Sequence, residues 1–283
     1  MGLSLPRLLQ ETFEDWSNDQ VPRLSAALAC YTVFSISPLL ILVLNIAGTF
    51  FGGDAVRGEL ELHLQSLMGA KAAGVVQDMV RSTLQPRQSM FTAITGIATL
   101  LIGATGLFAE MQSALNVIWD TPVSKKHSSL MLWARTRLMG LVGVLTILAL
   151  LVVSLLATGV FAFLANHMPA NYMLPPAFWV VMGFCVSFLG EVALFTIIFK
   201  VLPAADCPWR YIWGGALLTA ILFEAGKWGL GWYLGRESTL SLYGAAGSLV
   251  LLLLWVYYSA MIILTGAEIT HVYSRLYTTP QTV

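Results

Sequence analysis

Between Leu138 and Gly190 the chain runs for 53 residues without an Asp, Glu, Lys or Arg. A water-soluble fold needs charge at closer intervals to cover its exterior, so no other feature constrains the fold as strongly. Three more charge-free runs follow the same rule: Leu24–Gly53 with 30 residues, Gln88–Ala109 with 22 and Ser238–Ala267 with 30. A transmembrane helix needs about 20 apolar residues. The runs are continuously apolar and do not alternate on a period of two, which selects helices over a membrane barrel. Only 11% of the residues are charged and 57% are hydrophobic, where a soluble domain carries about 25% charge. Disordered, collagenous and disulfide-rich secreted classes are excluded on the same grounds.

The longest run exceeds one helix, and the turn-like segment His167–Pro176 divides it. Six spanning helices are expected, at roughly 24–50, 90–117, 139–165, 177–202, 211–234 and 246–271. Pro175 and Pro176 suit the first turn of the fourth, where a missing N–H costs nothing. The fold class is therefore all-α: one polytopic membrane domain over 1–283, with short amphipathic helices at 1–22 and within 51–89. With six spans and an inside N-terminus, the cytoplasmic segments hold nine Lys and Arg and the outer ones five. That bias places both termini in the cytoplasm. No cleavable signal peptide is expected before the first span.

In the first 20 residues, Leu5, Leu8, Leu9, Phe13 and Trp16 recur at helical spacing, with Glu11, Glu14 and Asp15 elsewhere around the axis. Two readings stay open: a helix lying on the cytoplasmic membrane face, and a helix packed on the bundle. In the first outer loop, Leu60, Leu64, Leu67 and Met68 share one helical face, and Val75, Val76, Met79 and Val80 share another. These faces could cover the chain's own bundle, lie on lipid headgroups, or dock a periplasmic or envelope protein through residues 55–85.

Several chemistries are absent. The formal net charge is zero, so no basic field exists to hold nucleic acid. Cys30, Cys185 and Cys207 form no spacing motif, and the first two read as small packing residues within spans. His63, His127, His167 and His271 are scattered, and no phosphate-binding loop, nucleophile elbow or metal-ligand spacing occurs. No catalytic residue, metal or cofactor is expected.

The first span reads RLSAALACYTVFSISPLLILVLNIAG, and the second ends in FAEMQSALNVIWDT. The last third reads KVLP, then WRYIWGGALLTAILFEAGKWGLGWYL, then YGAAGSLVLLLLWVYYSAMIILTGAEIT. Together these blocks resemble the YihY/BrkB family of bacterial inner-membrane proteins over nearly the whole chain. The resemblance implies a six-helix inner-membrane protein. Family labels include virulence factor and ribonuclease BN, and the family is discussed as a candidate transporter of envelope lipid or other hydrophobic cargo. The histidine scatter and the missing basic groove argue against a ribonuclease.

The informative residues are ionisable groups inside expected spans, where a charge costs at least about 2.5–3.5 kcal/mol. Glu191 and Glu224 fall near the middles of the fourth and fifth helices, and Lys227 lies three residues after Glu224 on the same face. Glu191 has no charged partner in its own helix, and Lys227 is the obvious cation for it. A functional polar site and a purely structural pair are both open. A second layer, Glu110, Lys200 and Glu268, lies near cytoplasmic helix ends, with Arg135, Arg137 or Arg210 as expected partners for the two carboxylates. Pro38 is expected to interrupt the first helix, and Gly231, Gly235, Gly244 and Gly247 mark close packing or hinges. Trp255, Tyr257 and Tyr258 lie too deep for an interfacial belt, and either pack or line a cavity.

Two functions follow. One is passive or ion-coupled transport of a lipid or other amphipathic envelope compound, without an ATPase of its own. The other is a non-catalytic scaffold for an envelope protein. Membrane lipid is the expected partner in either case, and a homo-oligomer stays open.

Overall fold

In the computed structural model, the described residues are 5–51, 106–121, 176–205, 207–234 and 247–278, with residue 149 and scattered positions from 58 to 80. Every regular element among them is a helix. We label them α1 (Leu5–Asn18), α2 (Val21–Phe51), α3 (106–118), α4 (Pro176–Val201), α5 (Trp209–Leu234) and α6 (Gly247–Thr278). Four expected spans thus coincide with α2, α4, α5 and α6. The second is described from residue 106 onward, and the third lies outside the described residues. Among the described residues, Val181–Val201 and Leu249–Leu276 are long and apolar enough to cross a membrane.

Helix α4 begins at Pro176, as its first-turn chemistry requires. Pro38 does not interrupt α2, which runs unbroken from Val21 to Phe51. A proline removes one backbone hydrogen bond, a loss that membrane helices tolerate without breaking. Helix α6 outlasts the expected span by seven residues, to Thr278. Its polar end continues because it packs: Val272 is fully buried, and Arg275 reaches α1. Gly231 lies within α5 and Gly247 opens α6, while Gly235, Gly244, Arg135 and Arg137 lie outside the described residues.

Helix α6 is the hub, packed against α1, α2 and α5, and α4 packs on the far side of α5. The α5–α6 contact is antiparallel and very close. A Cβ at Gly215 would overlap the Thr270 side chain, and one at Gly266 would overlap Thr219. Each threonine hydroxyl donates to the carbonyl four residues back, Thr219 to Gly215 at 2.7 Å and Thr270 to Gly266 at 2.6 Å. Two Gly-x-x-x-Thr turns therefore interlock, each glycine receiving the other helix's threonine. Further along, a Cβ at Gly226 would come within 2.7 Å of Ile262 and Tyr258. The deep aromatics pack as well: Trp255 meets the Phe223 ring edge-on at 6.4 Å.

The outward faces are apolar. Val181, Phe184 and Leu189 on α4, and Leu217, Ile221 and Trp228 on α5, are exposed. Such a continuous band is tolerable where lipid is the solvent. Cys30 and Cys185 belong to this outer surface and do not pack inside; Cys207 is buried. In the 58–80 segment, Leu64, Val76 and Val80 are buried in one cluster with Ala29 of α2 and Leu251, Leu252 and Val256 of α6. The described part of those faces, Leu60, Leu64, Val75, Val76 and Val80, thus packs on the chain's own bundle, while Leu67, Met68 and Met79 lie outside the described residues.

Replacing Gly215 by alanine is expected to cost about 1–3 kcal/mol through overpacking against Thr270. Its neighbour Gly214 has nothing within 4 Å of a new Cβ, so Gly214→Ala should be neutral or stabilising. Thermal unfolding of the two variants in detergent checks the difference.

Candidate functional site

Helices α4 and α5 run antiparallel, which the Phe195–Phe223 ring contact at 5.6 Å fixes in register. One turn away, the same register brings Glu191 opposite Lys227. The Lys227 ammonium donates to Glu191 Oε1 at 2.7 Å and to Glu224 Oε1 at 2.7 Å. It also lies 5.5 Å from the centre of the Phe223 ring. Ser187, the only hydroxyl at helical spacing before Glu191, is exposed. The three charged side chains retain only 13–17% of their exposure. Both carboxylates lie within three residues of their helix midpoints.

With all three groups ionised the triad carries one net negative charge. Glu191 Oε2 is buried without a hydrogen-bond partner. A buried carboxylate oxygen in this state is an open acceptor, suited to a proton, a hydroxyl or an ammonium group. The ammonium can exchange one carboxylate for the other without leaving the site. The triad also bolts α4 to α5.

The residues of the second layer do not form one cluster. Lys200 donates to the Cys207 carbonyl at 3.0 Å and lies 5.8 Å from the Trp209 ring. Arg210 bonds the Tyr211 hydroxyl at 2.9 Å. Glu110 is half-buried on α3. Glu268 is fully buried, and its charged neighbours among the described residues are Asp15, Asp19, Asp120 and Arg275, not Arg210. The expected Arg210 pair fails because Glu268 faces α1 and the end of α3, away from the start of α5. The sequence places Asp120 just beyond this layer, but nothing in the spacing of Asp15 and Asp19 ties α1 to the last helix.

The local chain geometry explains their placement. Helix α1 ends at Asn18, and in the turn after it Gln20 takes φ 53° and donates to the Ser17 carbonyl at 3.2 Å. Helix α3 ends in a Schellman turn: Thr121 donates to Asn116 at 3.0 Å, Asp120 donates to Val117 at 3.0 Å, and Asp120 takes φ 47°. Asn116 then accepts from the Ala204 amide at 2.9 Å, and Gln112 donates to the Leu202 carbonyl at 3.0 Å, pinning α3 to the α4–α5 connection. Trp16 donates to Thr265 at 3.0 Å, docking α1 on α6. Asp19, in the turn after α1, is pushed up to about 6, first by burial and then by the charges of Asp120 and Asp15. Burial also pushes the Cys207 thiol up, leaving it a packing group. No group of three or more His, Cys, Asp or Glu side chains that could hold a metal occurs among the described residues.

The family model described as Virulence factor BrkB matches residues 12–282. A protein of Alkalilimnicola ehrlichii named UPF0761 membrane protein is 28% identical over 275 residues, covering 95% of this chain and 58% of its own length. One of Azotobacter vinelandii with the same name is 29% identical over 264 residues, covering 91% of this chain and 60% of its own. The chain thus spans about three-fifths of the length of these curated relatives. No solved structure matches.

Lys227→Met would leave two carboxylates facing each other, and is expected to cost about 3 kcal/mol, the lower end for a broken buried pair. Adding Glu191→Gln and Glu224→Gln should recover most of that loss. Unfolding midpoints of the single and triple variants in detergent check this.

Proposed function

We propose that the chain, which belongs to the virulence factor BrkB family of membrane proteins, moves a lipid or other amphipathic envelope compound across the bacterial inner membrane. Both termini lie in the cytoplasm in this reading, as the Lys and Arg distribution favours. The observation that carries it is the mid-helix triad of Glu191, Lys227 and Glu224, with its unpartnered carboxylate oxygen. A purely structural pair would be better served by one carboxylate per ammonium. The second carboxylate and the free acceptor give a headgroup or proton somewhere to bind. The exposed apolar faces of α4 and α5 flank the triad, so a tail could stay in lipid while the polar end is handled there.

With no phosphate-binding loop in the sequence, the movement is downhill, ion-coupled or driven by a partner. Glu191 is the candidate headgroup or proton acceptor, Glu224 its alternate, and Lys227 the shared counter-ion.

Glu191→Gln leaves one ammonium facing one carboxylate, so folding should be unaffected while transport fails. In vesicles of bacterial polar lipids with an imposed pH gradient, translocation of a fluorescent phospholipid analogue should fall at least about tenfold. Unchanged translocation would remove Glu191 from the site. Loss of folded protein would reduce the triad to a structural bolt.

A further inference from the structure

Where α1, α3 and α6 meet, Glu268 has no exposure at all, and neither of its carboxylate oxygens has a partner in hydrogen-bond geometry. The charged groups acting on it among the described residues are Asp15 and Asp19 from the α1 end, Asp120 from the α3 end, and Arg275 from its own helix. Arg275 already serves others: its guanidinium is 2.8 Å from Asp15 and 3.4 Å from Glu11. His271 lies 3.7 Å from Asp120, too far for a hydrogen bond, and its Nε2 is buried without one. Glu268 in turn acts on Asp19, though the two carboxyls are not in hydrogen-bond geometry.

Among the described residues the sum is strongly negative. Asp15, Asp19, Asp120 and Glu268 share one guanidinium that also serves Glu11. Helices α1 and α3 both end here, and helix C-termini add partial negative charge from their free carbonyls. A fully buried, unpartnered carboxylate in such surroundings is not kept as an anion; it takes up a cation or a proton. The described side chains offer no metal-ligand group.

We propose that this junction is a proton-binding site, in which Glu268 carries the proton and shares it with Asp19, and that the bound proton holds α1 against α6. The proton comes from water on the side where α1 lies. The site is separate from the Glu191 triad and does not depend on any cargo. Asp19 gives the direction of the pH effect. Its carboxyl rises from 3.8 to about 6 when docked, so the docked form binds the proton more tightly than the released one. Docking is then strongest below the usual carboxylate range and weakens as pH rises through about 6. What weakens is the contact made by Trp16 with Thr265 and by Arg275 with Glu11 and Asp15.

Amide hydrogen exchange on the full chain in lipid discs, corrected for the intrinsic pH dependence of exchange, tests this. Protection of residues 5–18 should fall at least about tenfold between pH 5.5 and pH 8, with α5 and α6 unchanged. Glu268→Gln fixes the neutral form at that position and leaves only Asp19 to titrate, so protection of α1 at pH 8 should exceed that of wild type and its fall with pH should shrink. Should that variant not fold, Asp19→Asn should still shift the midpoint of the transition. A wild-type α1 whose protection ignores pH overturns the proposal, as does a wild-type pH response in Glu268→Gln or in Asp19→Asn. Sodium, potassium, magnesium and calcium should each leave protection at pH 8 unchanged; restoration by any of them would assign the site to a metal cation.

Discussion

The interlocked Gly215–Thr270 and Gly266–Thr219 contacts set the distance between α5 and α6, and the remaining packing is arranged around that pair. Lipid tails are as apolar as leucine, so burial gives two membrane helices little reason to associate. Close approach supplies the missing attraction through dispersion, and it requires glycine on one helix wherever the other presents a side chain. Threonine is a suitable partner because its hydroxyl is already bonded to its own helix. Neither of these two hydroxyls is left facing lipid. With α6 fixed to α5, the other faces of α6 are free to receive α1 and α2, and the far side of α5 receives α4.

Charge within this bundle is handled in two ways. In the triad, one ammonium sits between two carboxylates at equal distances of 2.7 Å, and the excess is a single negative charge. At the α1–α6 junction, carboxylates gather with too little positive charge to match them. In the first arrangement each ion touches its opposite, and that attraction offsets part of the desolvation cost. The second is stable only when something neutral or cationic replaces an anion.

Much of the architecture could be read from the charge-free runs, because lipid imposes a simple rule on length and composition. The ends of α2, α4 and α5 fall within three residues of expectation. The Glu191–Lys227 pair was also legible, since Lys227 is the obvious cation for a mid-helix carboxylate. The α1–α6 junction was not. Asp19 and Glu268 are 249 positions apart, and they are brought together by the docking of Trp16 on Thr265 and of Arg275 on Asp15. The close α5–α6 contact has a signal in the sequence: Gly215-x-x-x-Thr219 and Gly266-x-x-x-Thr270 are small-residue repeats comparable to Gly231-x-x-x-Gly235. Position alone does not tell which glycine faces a neighbour and which faces lipid, and Gly214 beside Gly215 shows how sharply that changes.

Helix α6 has 32 residues, about 48 Å of continuous rod, while the hydrocarbon layer is about 30 Å thick. Near its start it touches Leu64 and Val76 of the 58–80 segment, and near its end it holds α1 through Thr265 and Arg275. Between those contacts the helix is unbroken, so it has no joint in which a displacement could be absorbed. An axial slip at one end must reappear at the other, with α5 carried along by its interlocked glycines. The two surface segments are thereby mechanically in series, although they lie at opposite ends of the rod and have no need to touch.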